Sequence, residues 1–123
     1  MEKQHHTHYH DIPSYETRDG SEIRELMHPQ HHAVNHQSLA EAIVRPGCET
    51  RLHLHHRSEE LYYITQGEGQ MTLGEEHFCV SKGDTVSILP AMPHCIANIG
   101  QEDLHILCCC SPAYSHDDTQ LLD

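Results

Sequence analysis

The chain has 123 residues, enough for one domain with a single modest core. It is acidic, with 7 lysines and arginines against 19 aspartates and glutamates and a formal charge of −12, which argues against nucleic acids and anionic membranes as partners. No charged and then apolar leader opens the sequence, and no apolar run approaches the ~20 residues of a membrane span, so we expect a cytoplasmic protein.

The first twenty residues are polar, and four histidines fall close together there: His5, His6, His8 and His10. No apolar periodicity begins before Ile23, so the sequence predicts a flexible or loosely docked arm over residues 1–20. Histidine-rich tracts can form metal sites, but a mobile tail more often binds metal adventitiously. We therefore expect no dedicated site in the arm.

Residues 21–110 read as a series of short strands. Turn signals recur every ~8–12 residues and helical periodicity is almost absent, which indicates an all-β sandwich or barrel. Residues 111–123 follow as a tail that either covers the barrel mouth or frays as an acidic terminus. The predicted strands cover residues 23–27, 39–44, 51–55, 61–65, 70–73, 77–81, 85–89, 94–98 and 104–110.

Six cysteines fit a reducing compartment as free thiols. Three are scattered along the chain, and Cys108, Cys109 and Cys110 are consecutive. Adjacent residues on a strand point to opposite faces, so this run cannot form one chelating set, and the sequence has no C-x-x-C pair. We expect the cysteines to act mainly as small apolar fillers.

Two histidines separated by one leucine stand out in the predicted sheet. On a strand, His53 and His55 point to one face and Leu54 to the other. The turn after His55 would fold the carboxylate of Glu60 back beside the two imidazoles. Such a polar cluster on a packed face costs several kcal/mol unless something satisfies it. Two imidazoles and a carboxylate suit a first-row divalent metal.

A third imidazole is available further along the chain. His94 opens a predicted strand directly after a proline-bounded turn, and Asn98 shares its face. This placement allows His94 to complete a shell of three histidines and one carboxylate.

These spacings resemble those of the cupin family. The first cupin motif, G-x5-H-x-H-x4-E-x6-G, is matched by Gly47, His53, His55, Glu60 and Gly67. Glu59 is a rival for the carboxylate because the family also tolerates three residues before its glutamate, but the six-residue gap to Gly67 favours Glu60.

The second cupin motif, G-x5-P-x-G-x2-H-x3-N, is matched by Gly83, His94 and Asn98. Two of its positions differ: leucine stands at the proline position, and Ala91 replaces the glycine. That glycine commonly has a positive φ, which alanine tolerates poorly. The turn conformation before His94 is therefore less well predicted than the ligand itself.

The resemblance implies a small jelly-roll β-barrel of antiparallel strands. It also implies one divalent transition metal per chain, iron, manganese, zinc or nickel, bound by His53, His55, Glu60 and His94. Such a shell leaves one or two positions for water or substrate, which is typical of a catalytic site. Small cupins commonly pair through an edge strand and an N-terminal arm, so we expect a homodimer using residues 23–27.

Strand alternation predicts two further candidates near the metal. Arg51 shares a face with the two histidines of the first motif and is a candidate anchor for a carboxylate or phosphate, with a surface ion pair to Glu49 as the alternative. Tyr62 shares a face with Glu60 and is a candidate general acid, with an ordinary core tyrosine as the alternative.

Function follows from the resemblance only in outline. Cupins of this size include isomerases, lyases, cyclases, dioxygenases and proteins that only bind a ligand, and many resemble the metal-binding core of mannose-6-phosphate isomerases. We expect a metal-dependent isomerase or lyase acting on a small oxygenated metabolite such as a sugar or a keto or hydroxy acid. An iron-dependent dioxygenase and a non-catalytic sensing cupin are the alternatives.

Overall fold

The structure, a computed structural model, describes residues 2–123 and contains eleven short strands in that range. Two 3₁₀ turns, Tyr9–Asp11 and His116–Asp118, are the only helical segments in that range, and neither has the length or apolarity to cross a bilayer. The strands are β1 (Tyr15–Glu16), β2 (Glu22–Met27), β3 (Ser38–Val44), β4 (His53–His55), β5 (Glu59–Gln66), β6 (Glu68–Leu73), β7 (Glu76–Ser81), β8 (Thr85–Ile88), β9 (His94–Asn98), β10 (Leu104–Ser111) and β11 (Thr119–Leu121).

The strands form two antiparallel sheets, with orders β1-β2-β3-β10-β5-β8 and β11-β4-β9-β6-β7. Strict alternation along β5 turns Glu60, Tyr62 and Ile64 inward and leaves Leu61 and Tyr63 exposed. The largest fully buried apolar side chains fill the space between the sheets: Ile64, Met71, Ile88, Ile96, Leu104 and Ile106. Two antiparallel sheets around one core form a jelly roll, so the predicted fold class is confirmed.

Nine of the strands match the predicted ones, and no end differs by more than two residues. The other two, β1 and β11, lie outside the predicted barrel of residues 21–110. Strand β11 pairs with β4, and β1 pairs with β2, opposite Ile23 and Glu22. Since β1 occupies part of that edge, the expected homodimer has less free edge to use; it stays a prediction.

The N-terminal arm lies along β2. Thr7 Oγ1 donates a hydrogen bond of 2.8 Å to the carbonyl oxygen of Leu26, and the guanidinium of Arg24 stands 4.2 Å from the ring centroid of Tyr9. Arg24 also donates to the carbonyl oxygen of Ile12 at 2.7 Å. These contacts give the arm a docked position, while its predicted flexibility stays a prediction.

Gly67, which ends the first motif, occupies a position that only glycine fits. Its φ is +90°, and a Cβ there would lie 2.8 Å from the carbonyl oxygen of Asp103. Any side chain would therefore push β5 away from the segment that leads into β10.

The turn before His94 keeps the conformation of a glycine turn although Ala91 stands in it. The turn comprises Leu89, Pro90, Ala91 and Met92, and it is closed by a hydrogen bond of 3.2 Å from the N–H of Met92 to the carbonyl oxygen of Leu89. Ala91, at its third position, has a φ of +65°. Proline at the second position and a positive φ at the third are typical of a type II turn. The N–H of Ala91 also donates to the carbonyl oxygen of His55 at 2.7 Å, so the turn ties β4 to the start of β9.

We expect Ala91→Gly to raise the melting temperature by about 2–4 °C. A left-handed conformation costs an L-residue about 1–2 kcal/mol, and the greater freedom of glycine in the unfolded chain offsets part of this gain. Ala97→Gly is the matched control, because Ala97 lies within β9 and glycine weakens a strand. Thermal unfolding followed by circular dichroism measures both; a lower melting temperature for Ala91→Gly would contradict the strain at this turn.

Candidate metal centre

Three histidines meet on the inner face of the five-stranded sheet. His53 and His55 are two residues apart on β4, so both point inward. His94 opens β9 and stands opposite His53 in the antiparallel register. All three are buried, and one ring nitrogen from each lies within 4.8 Å of the other two. The structure thus brings together the three predicted histidines.

Glu60 reaches the same point from the opposite sheet. The chain crosses between the sheets in the turn from β4 to β5, so the carboxylate faces the histidines across the barrel. Its Oε1 lies 3.3 Å from His55 Nε2 and 3.5 Å from His94 Nε2. Its Oε2 accepts the S–H of Cys110 at 3.4 Å. Glu59 is exposed, so Glu60 is the residue at the site.

Hydrogen bonds to the main chain set the tautomers of two rings. Nδ1 of His53 donates to the carbonyl oxygen of Arg51 at 2.7 Å, and Nδ1 of His94 donates to that of Met92 at 2.9 Å. A neutral imidazole carries one N–H, so Nε2 of each ring presents a lone pair toward the centre.

A residue of the C-terminal segment sets the tautomer of the third ring, that of His55. His55 Nδ1 lies 3.0 Å from Thr119 Oγ1, and this hydroxyl donates its own proton to the carbonyl oxygen of Ser115 at 2.9 Å. Thr119 must therefore accept from His55 Nδ1–H, which leaves a lone pair on His55 Nε2 as well. All three inward nitrogens are acceptors.

The charges of the site match this arrangement. Burial, together with the nearby His94, lowers the pKa of His53, so its ring is neutral. Burial alone would raise the pKa of Glu60, but its contacts with His55 and His94 outweigh that effect and bring the pKa down to about 2. At neutral pH the Glu60 carboxylate is therefore ionised.

Two atoms at the centre are buried without a hydrogen-bond partner, Glu60 Oε1 and His94 Nε2. Leaving a buried polar group unpaired costs about 1–3 kcal/mol, and more for a charged one. Lone pairs that converge without a proton between them are satisfied by a cation. Imidazole nitrogens and a carboxylate are ligands for first-row divalent metals, so these four residues fit such an ion.

A cavity of about 50 Å³ opens beside the histidines. Its walls are mainly aliphatic and hydroxyl side chains, and in the part of the chain that the structure describes no lysine or arginine lines it. The residues that line it include Thr17, Asp19, Ser21, Ile23, Glu25, Ala40, Ala42, Val44, Tyr62, Ile96, Ile106, Cys108, Cys110 and Tyr114.

Tyr62 lies where strand alternation predicted. It is buried, lines the cavity, and its ring centroid is 6.0 Å from that of His94. Burial and the negative charge of Glu60 raise the pKa of Tyr62 well above the usual value near 10. The hydroxyl is therefore protonated throughout the neutral range and can donate a hydrogen bond into the cavity.

The structure does not bring Arg51 to the site. Strand β4 begins only at His53, so strand alternation does not extend back to Arg51. Its exposed guanidinium instead contacts the C-terminal residue Asp123, with Nε 3.1 Å from Oδ1. The predicted ion pair with Glu49 is replaced by this pair, and Arg51 contributes its carbonyl oxygen to His53.

Sequence reasoning missed three residues around the centre: Asp19, Tyr114 and Thr119. Asp19 Oδ2 lies 3.7 Å from His53 Nε2, and the Tyr114 ring centroid is 5.8 Å from that of His55. All three come from segments outside the predicted barrel, where no motif marks them. The Asp-Gly-Ser sequence at residues 19–21 indicates a turn, but nothing in it indicates what the turn approaches.

Asp118 holds the turn that separates His55 from Glu60. Its carboxylate accepts the backbone N–H of Arg57 at 3.0 and 3.1 Å and the buried N–H of Ser58 at 3.0 Å. Although burial opposes it, the hydrogen bonds from Ser58 and Arg57 lower the pKa of Asp118. Asp118 and Thr119 therefore help to join the C-terminal segment to the candidate metal centre.

We expect Asp118→Ala to lower the free energy of unfolding by about 2 kcal/mol and the melting temperature by about 8 °C, because a buried N–H loses its acceptor. A group whose pKa is depressed by folding contributes stability above its unfolded pKa and loses it as the pH falls through the folded value. The difference from the wild type should therefore shrink in acid. Asp117→Ala, at the exposed neighbouring position, is the control. Equal melting temperatures for the two variants at neutral pH would refute this role of Asp118.

Other histidines line a surface groove formed by the arm, the loop after β2 and the C-terminal segment. They include His6, His8, His31, His32 and His116. Within residues 2–123, however, only His53, His55 and His94 bring three potential ligand atoms within 4.8 Å of one another. Adventitious metal binding by the arm stays a prediction.

A jelly roll whose inner face carries three histidines and a glutamate from two motifs defines the cupin class. A profile described as the cupin domain matches residues 40–110, and the chain belongs to this family. The uncharacterized protein MJ1618 of Methanocaldococcus jannaschii is 56% identical over 117 residues, which cover 95% of this chain and 94% of that protein.

Two solved structures show the same architecture. Oxalate decarboxylase from Lactobacillus farciminis, solved as a formate complex, is 26% identical with a TM-score of 0.81; the match covers 94% of this chain but only 35% of that one. The polyketide cyclase RemF from Streptomyces resistomycificus superposes with a TM-score of 0.81 at 19% identity, covering 100% of this chain and 87% of that one. At that identity, RemF shows the fold alone.

Proposed function

We propose that this cupin is a metal-dependent lyase or isomerase that acts on a small oxygenated metabolite. The observation that carries the proposal is the pair of unpartnered buried atoms, Glu60 Oε1 and His94 Nε2, which lie 3.5 Å apart beside two further buried imidazoles. A divalent ion bound there would act as a Lewis acid toward a carbonyl or hydroxyl oxygen of the substrate.

Residues of the chain supply the other groups that the reaction needs. His53, His55, His94 and Glu60 hold and orient the ion, and the Cys110 thiol fixes the carboxylate by bonding its second oxygen. Tyr62 is a protonated phenol that faces the cavity, so it donates a hydrogen bond to a developing oxyanion.

The charged residues that line the cavity limit the classes of substrate that it could bind. Phosphate recognition normally uses lysine or arginine, and within the described residues neither lines the cavity. The carboxylates of Glu60 and Glu25 also line it. Both observations favour a sugar or carbonyl compound without a phosphate group. An oxalate decarboxylase on the same fold supports carbon–carbon chemistry of this general kind.

The test begins with the metal content of untagged protein purified without metal-affinity resin. Aldoses, ketoses and hydroxy ketones are then incubated with the protein in deuterated water, with and without oxygen, and followed by proton NMR. We expect metal-dependent deuterium incorporation or substrate conversion that needs no oxygen. Turnover only with oxygen consumption would favour a dioxygenase, and metal binding with ligand binding but no conversion of any class would favour a sensing cupin. Either result would overturn the proposal.

A further inference from the structure

A carboxylate from outside the barrel core is held rigidly at the edge of the metal centre. The loop between β1 and β2 closes through two hydrogen bonds, from Thr17 N to the Ser21 carbonyl at 3.0 Å and from Gly20 N to the Thr17 carbonyl at 3.1 Å. The carbonyl of Asp19 accepts the N–H of Arg51 at 2.7 Å, which fastens this loop to the chain just before β4.

The side chain of Asp19 is fixed through one oxygen only. Oδ1 accepts the backbone N–H of Ser21 at 3.0 Å and the Ser21 hydroxyl at 2.7 Å. Oδ2 remains free and lies 3.7 Å from Nε2 of His53, with only 14% of the side chain exposed. The loop therefore presents a single carboxylate oxygen to the cavity.

That free oxygen faces an atom that cannot donate to it. Nδ1–H of His53 is already bonded to the carbonyl oxygen of Arg51, so its Nε2 carries a lone pair. The Asp19 carboxylate therefore approaches His53 Nε2 at 3.7 Å much as the Glu60 carboxylate approaches His94 Nε2 at 3.5 Å. A cation between them makes both contacts favourable.

We propose that Asp19 is a further ligand of the metal, a second carboxylate beside that of Glu60, which the N-terminal segment contributes. This inference rests on one part of the proposed function, the binding of a divalent metal ion. Two carboxylates offset the charge of a divalent ion, so the loaded centre carries no net charge and selects uncharged hydroxyl or carbonyl compounds over anions. It also makes residues 17–21 part of the site.

The decisive measurement is the affinity of the full chain for manganese and cobalt, determined by competition with a chromophoric chelator. Asp19→Asn keeps an oxygen that can accept from Ser21 but removes the charged ligand, so we expect affinity to fall ~10-fold or more. Glu25→Gln is the matched control, because Glu25 lines the same cavity but its carboxylate bonds the Tyr15 hydroxyl. The Glu25→Gln variant loses the same charge without losing a candidate ligand. Its affinity for manganese and cobalt should therefore stay within about threefold of the wild type.

The visible spectrum of the cobalt-loaded protein gives a second readout, because the loss of a ligand changes the coordination number and hence the d–d bands. We expect Asp19→Asn to change these bands and Glu25→Gln to leave them unaltered. If Asp19→Asn does not fold, Asp19→Ser, which also lacks the carboxylate, replaces it. Wild-type affinity and an unaltered cobalt spectrum in the folded variant would overturn the role of Asp19 alone. Absence of metal binding by the wild type would instead overturn the proposed function.

Discussion

Replacing His53 and His55 together by alanine is expected to reduce bound metal to background. The two imidazoles are half of the four candidate ligands that the two motifs together supply. The remaining pair, His94 and Glu60, leaves a first-row ion too few strong donors. Elemental analysis of protein purified without metal-affinity resin measures the loss directly.

Thermal unfolding gives an independent readout of the same loss. A ligand present at 1,000 times its dissociation constant stabilises a protein by about 4 kcal/mol, which for a chain of this size corresponds to ~15 °C in melting temperature. A chelator should therefore lower the melting temperature of the wild type by roughly 10–15 °C. It should leave the double variant unchanged.

The arm supplies a matched control for this experiment. His8 and His10 are also two residues apart, so the double replacement of these residues by alanine removes the same number of imidazoles from a segment with the same spacing. We expect this control to keep one metal per chain and the chelator response. Stoichiometric metal in the His53 and His55 variant, or its loss in the arm variant, would be incompatible with the assigned centre.

Tyr62→Phe is expected to lower turnover ~10²-fold or more while metal content and melting temperature stay nearly level. The substitution keeps the buried ring and removes only the hydroxyl that faces the cavity. Since the raised pKa keeps this phenol protonated, its proposed role is to donate to a developing oxyanion, and its removal should lower kcat more than it raises KM.

Tyr63→Phe is the control for the loss of a phenol at this strand. Tyr63 is the next residue on β5 and points to the exposed face, with 45% of its surface accessible. Its replacement should leave metal content and turnover at wild-type levels. Equal activity of both variants would exclude Tyr62 from the reaction and leave the metal ligands as the only groups that act on the substrate.

Local patterns were sufficient to predict an all-β sandwich or barrel and the inward direction of the main candidate ligands. Alternation along β4 and β5 is a property of any extended chain, so the inward direction of His55 and Glu60 was predictable once the strands were placed. The same rule correctly predicted that Tyr62 lies on the buried face of β5. It misplaced Arg51 because the strand starts two residues later than the apolar pattern suggested.

The sequence by itself determined the all-β class, the two motifs and the four candidate ligands, because strand periodicity and motif spacing are written in neighbouring residues. Only the tertiary structure decided which distant segments join them. Asp19, Thr119 and Asp118 reach the centre through pairing between residues 34 to 64 positions apart, from Asp19–His53 at the shorter end to Thr119–His55 at the longer. Such pairing depends on how the two sheets close, and no local propensity encodes it.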